Sequence, residues 1–260
     1  MPSAIFFDLD DTLLWDKKSI ETALEKTVKD AEDLYGANPD ELLAEVKKAA
    51  PQLYQKYSFY DFTKMIGINP FEGLWGSFGD PIHHQFREMG AEIEQFQNSV
   101  WETALRSCGI DQSGNVLRKC FIAHRKNSPF LYEETLDVLK ELKGRGIKLS
   151  IITNGAPSLQ LEKLRITPEL VSYFDHIVIS GNIGEGKPGQ AIFEHALRVT
   201  NQSAQDVWMV GDNLKTDILG ANRMGIHSVW IQHDASVVPG KGEGSPDQTV
   251  SRLKEILNLL

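Results

Sequence analysis

The sequence predicts an α/β protein: a parallel sheet with helices on both faces, and an all-helical domain inserted after the first strand. Three observations predict it. Short apolar runs rich in Ile, Val and Phe recur at residues 4–9, 148–153, 175–180, 206–210 and 227–231. Uninterrupted runs of this kind suit strands buried on both faces. Helical patterns separate the later runs, and alternating strand and helix implies right-handed βαβ units in three layers. The first run is parted from the second by more than a hundred residues of charged, helix-patterned chain without a convincing strand.

In order, Ala4-Ile5-Phe6-Phe7 is the first strand and leads into Asp8-Leu9-Asp10-Asp11-Thr12. Residues 16–127 then form a helical cap, with charges dense over 17–33 and 40–50. Tyr54, Tyr57, Phe59, Tyr60, Phe62, Phe71, Trp75 and Phe78 supply its hydrophobic core. The division is therefore 1–15 and 128–260 for the α/β core, and 16–127 for the cap. Leu136, Leu139 and Leu142 mark a helix ending near Gly144, and the strand 148–153 ends at Thr153-Asn154-Gly155. Only 33 residues separate Thr153 from Lys187, room for one helix and the strand 175–180, so the single insertion lies after the first strand. Lys187 precedes Pro188, a favoured first residue of a helix whose stripe is Ile192, Phe193, Ala196 and Leu197. The run 206–210 leads into Gly211-Asp212-Asn213-Leu214-Lys215-Thr216-Asp217 and a helix over 218–224. After the strand 227–231, residues 234–247 form a Gly-rich surface loop. Its Gly-Lys pair is followed by Gly242 rather than Ser or Thr, so it is not a phosphate-binding P-loop. Val250, Leu253, Leu257 and Leu260 complete a last helical stripe.

The 260 residues suffice for one large domain or two modest ones, and 41% hydrophobic with 24% charged residues is an ordinary globular composition. A formal charge of −9 argues against nucleic acid or an anionic membrane as partner. Two cysteines, Cys108 and Cys120, are too few for a disulfide scaffold and are expected to be reduced thiols. No apolar run is long enough to span a bilayer, and signal cleavage in the usual window would remove Asp8, so a cytoplasmic location is expected. Oligomeric state, monomer or homodimer, stays open.

Asp8 and Asp10 end a buried strand one residue apart, which puts both carboxylates on the same side of the chain end. One can attack while the other moves a proton, and both can help to hold a hard cation. Open α/β sheets bind ligands beyond the carboxyl ends of their strands, where strand order reverses. Followed in order by Ile151-Ile152-Thr153-Asn154-Gly155, Gly186-Lys187-Pro188 and Gly211–Asp217, the Asp8 segment resembles the first motif of the haloacid dehalogenase-like (HAD) hydrolases. All four motifs of that superfamily are present, and the resemblance spans the chain. It implies a three-layer Rossmann-like core with a C1-type cap and places the first and fourth strands at the reversal point.

The resemblance also implies roles. Asp8 would attack phosphorus to give an aspartyl-phosphate. Asp10 would protonate the leaving alcohol, then activate water, with its backbone carbonyl on the metal. Thr153 and Asn154 would meet phosphate oxygens through a hydroxyl and backbone N–H groups, and Lys187 would meet phosphate and aspartate. Asp8, Asp10 and Asp212 would hold Mg²⁺. Asp217 would act on the metal through water or hold Lys187, and Thr12 would support the turn. Four carboxylates against one lysine leave −3, which a divalent cation reduces to −1, so a phosphate dianion requires the metal.

His83, His84 and most cap aromatics are read as surface or packing residues. Trp15, Arg87, Arg125 and Lys126 are the candidates for substrate specificity. The expected activity is a Mg²⁺-dependent phosphomonoester hydrolase acting on a small phosphorylated metabolite. O-phospho-L-serine comes first, since the whole chain is similar to a capped group in which phosphoserine phosphatases occur. A nucleotidase, sugar phosphatase or phosphomutase of the same superfamily is the alternative. A dehalogenase needs neither an acid at Asp10 nor a metal, a phosphonate hydrolase lacks the second aspartate, and a non-catalytic binding module would show a substituted catalytic position.

Overall fold

The computed structural model describes residues 1–260, which form two compact units. In chain order, β1 (Ala4–Phe7) is followed by α1 (Asp16–Tyr35), α2 (Pro39–Tyr54), α3 (Tyr60–Ile66), α4 (Pro70–Gly73), α5 (His84–Ser107) and α6 (Asn115–Lys126). Then come α7 (Thr135–Gly144), β2 (Lys148–Thr153), α8 (Pro157–Arg165), α9 (Pro168–Val171), β3 (His176–Ile179) and α10 (Ser180–Ile183). The chain ends with α11 (Gln190–Thr200), β4 (Val207–Gly211), α12 (Leu219–Met224), β5 (His227–Ile231) and β6 (Gln248–Val250).

The sheet unit comprises Met1–Trp15, Leu131–Gly155 and Thr167–Leu260. Its six strands are parallel, in the order β3-β2-β1-β4-β5-β6. This is the α/β fold the sequence predicts. β1 is buried throughout, as its unbroken apolar run requires, and is paired on both sides, Phe7 facing Ile151 of β2 and Val210 of β4. Strand order reverses between β1 and β4, so the carboxyl ends of those two strands flank the crevice.

Three local expectations need correction. Gln248–Val250 is a sixth strand, two of its three residues exposed, so Val250 belongs to the sheet and the terminal turn over Leu253–Asn258 is 3₁₀. The helix after β4 begins earlier than residue 218, as a π-helical turn over Leu214–Ile218 capped by the Asn213 side chain, which accepts from the Lys215 N–H. Pro188 stands two residues ahead of α11, whose N-cap is Gly189, so it is not a first helical residue.

The helical unit comprises Asp16–Phe130 together with Ala156–Ile166. It contains α8, which a linear division at residues 16–127 leaves with the sheet. Its N-termini are written locally. Asn38 caps α2 by accepting from the Asp40 and Glu41 N–H groups, with Pro39 next in line. Asn69 and Glu72 form a capping box at α4. The apolar faces of α1, α2, α5 and α6 pack into one core with Tyr54, Phe78, Phe96, Trp101 and Phe121, to which α8 adds Leu159. A buried ionic chain also crosses this unit: Arg125 pairs with Asp16 at 2.7 Å, and Lys163 of α8 pairs with Glu72 at 2.8 Å and approaches Asp16 at 3.9 Å. No helix is long and apolar enough to cross a membrane, and Cys108 and Cys120 are free thiols.

Candidate active site

The first strand delivers Asp8 to the crevice. Its N–H still donates to the Val210 carbonyl at 2.9 Å, so the residue is fixed as an extension of β1, and its side chain is buried. The chain then turns sharply. The Leu13 and Leu14 N–H groups return to the Leu9 carbonyl at 3.0 and 2.9 Å, and the Asp11 N–H donates to the Leu14 carbonyl at 2.6 Å. Asp11 has φ +59°, a left-handed conformation that Asp tolerates better than most non-glycine residues. Thr12 is buried, with its hydroxyl 3.4 Å from Asp8 Oδ2.

Lys187 reaches the same point from the loop after α10. Its ammonium has three donors and spends them on Asp8 Oδ1 at 2.6 Å, Asp217 Oδ1 at 2.7 Å and the Ile152 carbonyl at 2.7 Å. Burial alone would push this lysine down; Asp217 and Asp8 together raise it above an ordinary lysine, so it stays charged. Burial pushes the Asp8 carboxyl up to about 6, against the pull of Lys187 and with a further push from Asp217. Burial outweighs the pull of the lysine, so Asp8 stays above an ordinary carboxylate value.

The loop after β2 clamps that lysine. Asn154 Oδ1 accepts from the Lys187 N–H at 2.8 Å while its Nδ2 donates to the Lys187 carbonyl at 3.0 Å. Both ends of the Asn154 side chain are thus engaged by the Lys187 backbone, which fixes its orientation. Thr153 is buried beside it. Gly155 has φ +141°, which side chains rarely adopt, and its N–H donates to Ser180 Oγ at 2.8 Å.

At the end of β4, a Cβ on Gly211 would lie 2.3 Å from Asp217 Oδ2, so glycine there is what admits the Asp217 carboxylate. Asp217 also accepts from the Asn213 N–H at 3.1 Å, and its Oδ1 lies 2.7 Å from the Lys187 ammonium. Asp212 is half-buried, its carbonyl accepting from Trp230 Nε1 at 2.8 Å. One carboxylate oxygen each from Asp8, Asp212 and Asp217 lies within 4.8 Å of the others. Three convergent hard oxygens fit Mg²⁺ or Ca²⁺ rather than a soft metal. The cluster includes Asp217 rather than the Asp10 carboxylate; the part expected of Asp10 on the metal is through its backbone carbonyl.

The specificity candidates are scattered. Trp15 stacks on Tyr132 (5.3 Å, 13°) and lines a cavity of about 270 Å³ with Thr12, Tyr132, His233 and Arg252. Arg125 is 1% exposed, hydrogen-bonded to Asp16 and Ser19 and laid over Trp75 at 4.6 Å. It is a structural ion pair within the helical unit, not a cation facing open space. Arg87 donates to the Pro81 carbonyl, and Lys126 is 3.4 Å from Glu162 at the rim of a 170 Å³ cavity floored by Trp75 and Ser158. Two neighbours of the Asp8 turn were not foreseen: Tyr132, and His233, whose Nε2 lies 2.6 Å from the Asp11 carbonyl. A lone exposed histidine beyond β5 carries no sequence signal.

A family profile described as haloacid dehalogenase-like hydrolase matches residues 2–225. A phosphoserine phosphatase of Thermus thermophilus is 33% identical over 253 residues, covering 97% of this chain and 96% of that protein. A glyceraldehyde 3-phosphate phosphatase of Pyrococcus abyssi is 28% identical over 237 residues, covering 90% and 82%. Among solved structures, the putative HAD-hydrolase YfnB of Bacillus subtilis, bound to magnesium, superposes with a TM-score of 0.68 at 20% identity, covering 100% of this chain and 98% of that one, a likeness of fold.

Proposed function

The chain belongs to the haloacid dehalogenase-like hydrolases, and from that premise we propose that it is a Mg²⁺-dependent phosphomonoesterase acting on a small phosphorylated metabolite. The observation that carries this reading is the meeting of Asp8, Lys187, Asp212 and Asp217 at the ends of β1 and β4. Two relatives named as phosphatases, matching nearly the whole chain, support it.

In the proposed reaction a carboxylate oxygen of Asp8 attacks phosphorus in line, forming the acyl-phosphate bond as the ester P–O bond breaks. Asp10 gives its proton to the departing alkoxide, which leaves as the alcohol. Asp10, now a carboxylate, takes a proton from water as that water attacks phosphorus. The acyl-phosphate P–O bond breaks, Asp8 is regenerated and inorganic phosphate leaves. Lys187 holds Asp8 in line and offsets charge on the transferring group. Backbone N–H groups following Thr153 would meet its other oxygens, the Gly155 N–H being engaged by Ser180 Oγ. Asp8 and Asp212, with the Asp10 carbonyl, would hold Mg²⁺, which supplies charge neutralisation at the phosphoryl oxygens.

O-phospho-L-serine is the substrate we put first, supported by the 33% identical relative. A sugar phosphate is the second reading, favoured by the glyceraldehyde 3-phosphate phosphatase relative, with a nucleoside monophosphate behind it. Phosphate release across some dozens of phosphorylated metabolites, with Mg²⁺ and with EDTA, tests both. A kcat/KM for a sugar phosphate or nucleotide well above that for phosphoserine replaces the substrate. Halide release from a haloacid without metal, or isomerised sugar phosphate without free phosphate, replaces the reaction.

A further inference from the structure

We propose that His233 is a positioning residue for this reaction: its Nε2–H holds the Asp11 carbonyl and thereby the left-handed turn that presents Asp10. The inference rests on the phosphatase reading only for its kinetic arm. A carbonyl can only accept, so the 2.6 Å contact requires the imidazole to donate from Nε2. Asp11 is a side-chain-bearing residue at φ +59°, a left-handed conformation that its surroundings must hold.

Most of what holds the turn is internal to it. The bonds Asp11 to Leu14 and Leu13 and Leu14 to Leu9 close the loop on itself and move with it. Thr135 anchors its far side, donating to the Leu13 carbonyl at 3.1 Å. The Asp11 carbonyl belongs to the Asp11–Thr12 peptide, one beyond the peptide that Asp10 shares with Asp11, and His233, from beyond the end of β5, ties it from outside the turn. The two peptides are joined through φ and ψ of Asp11, so a slip of Asp11 out of its left-handed conformation re-aims the Asp10 backbone, on whose direction both its proposed tasks depend.

The imidazole is itself fixed in orientation. It stacks on Tyr132 with ring centres 5.1 Å apart and planes 12° from parallel, and Tyr132 stacks in turn on Trp15, the residue that leaves the turn. The ladder Trp15–Tyr132–His233 therefore begins and ends on the same short segment, and the histidine closes it. His233 is exposed, so replacing it opens no cavity in the core.

The test uses two variants of the full chain. His233→Phe keeps an aromatic ring for the stack and deletes the donor, while His233→Gln keeps a donor and deletes the ring. With an aryl phosphate and saturating Mg²⁺, His233→Phe should lower kcat about tenfold at unchanged KM, as displaced supporting groups do. His233→Gln should recover most of that loss. Amide hydrogen exchange over residues 9–15 should quicken in His233→Phe, with the sheet unaltered. Wild-type kcat in His233→Phe, or a His233→Gln no better than it, overturns the proposal. Should the wild type release no phosphate from any substrate, the phosphatase reading falls and exchange over 9–15 alone decides: unchanged exchange in His233→Phe overturns the tie.

Discussion

The Lys187 ammonium lies 2.6 Å from the Asp8 carboxylate, with both side chains almost wholly out of water. Asp217 holds the same ammonium from the other side at 2.7 Å. One buried cation thus serves two buried anions, and the surplus negative charge falls where a divalent cation fits. Removing one partner of a buried pair is more costly than the pair is worth, because the other charge stays behind. The first two expectations turn on that asymmetry.

Asp8→Asn should abolish turnover, a loss on the order of a thousandfold or more, since an amide cannot form the acyl-phosphate. It should not lower the melting temperature, because Lys187 keeps Asp217 and the buried charge becomes balanced. Phosphate release and a thermal melt check both arms. Substantial retained activity would rule out covalent attack by Asp8.

Lys187→Met should also stop turnover, but at a structural cost of about 3–5 kcal/mol, because Asp8 and Asp217 are left buried and facing each other. Adding Asp217→Asn should return part of that stability and none of the activity. Urea midpoints in EDTA measure it; a double variant no more stable than Lys187→Met would mean that the two carboxylates do not repel.

The Asp8 carboxyl titrates at about 6 instead of 3.8, chiefly through burial. Attack needs its ionised form, so activity at limiting Mg²⁺ should fall as pH drops through about 6. Saturating Mg²⁺ favours the carboxylate and should move that acidic limb to lower pH. For stability the sign is opposite to that of an ordinary paired aspartate. A raised folded-state value stabilises the fold below 3.8, and the contribution is lost as pH rises through about 6. An acidic limb that ignores metal concentration would place the titrating group elsewhere.

Arg125→Ala and Lys126→Ala should part company. Lys163 and Arg125, working against burial, hold Asp16 below the ordinary carboxylate range, so the pair stabilises above 3.8 and is lost on further acidification. Arg125→Ala should therefore cost about 3 kcal/mol, whatever the substrate. The Lys126 side chain is 45% exposed, and Lys126→Ala should leave stability within about 0.5 kcal/mol. If Lys126 meets a substrate carboxylate, its loss should raise KM for phosphoserine and not for an aryl phosphate. Equal effects on the two substrates would remove it from the specificity residues.

Five strands were legible because each carries a short cluster of Ile, Val, Phe, Met or Trp, the composition that a sheet covered on both faces demands. β6 was not: Gln248 and Thr249 face solvent, and Val250 falls into register with Leu253 and Leu257 as well as any helix would. Asp8, Lys187 and Asp217 were legible as candidates from their order along the chain, and their sharing of one ammonium needed the fold. Arg125 misled because a cation near the return from the cap has the same composition whether it faces a ligand or Asp16. His233 gave no signal, since its partner is a backbone carbonyl more than two hundred residues earlier.

The helical unit is assembled from two stretches of chain, and its second stretch, Ala156–Ile166, is synthesised only after β2. Until then Glu72 has no Lys163, and the core lacks Ala156 and Leu159. A fragment ending at residue 130 would carry that defect permanently, an acid buried at its centre with its cation missing. Excising the helices as a contiguous piece therefore yields an incomplete object; a faithful excision must splice α8 back on.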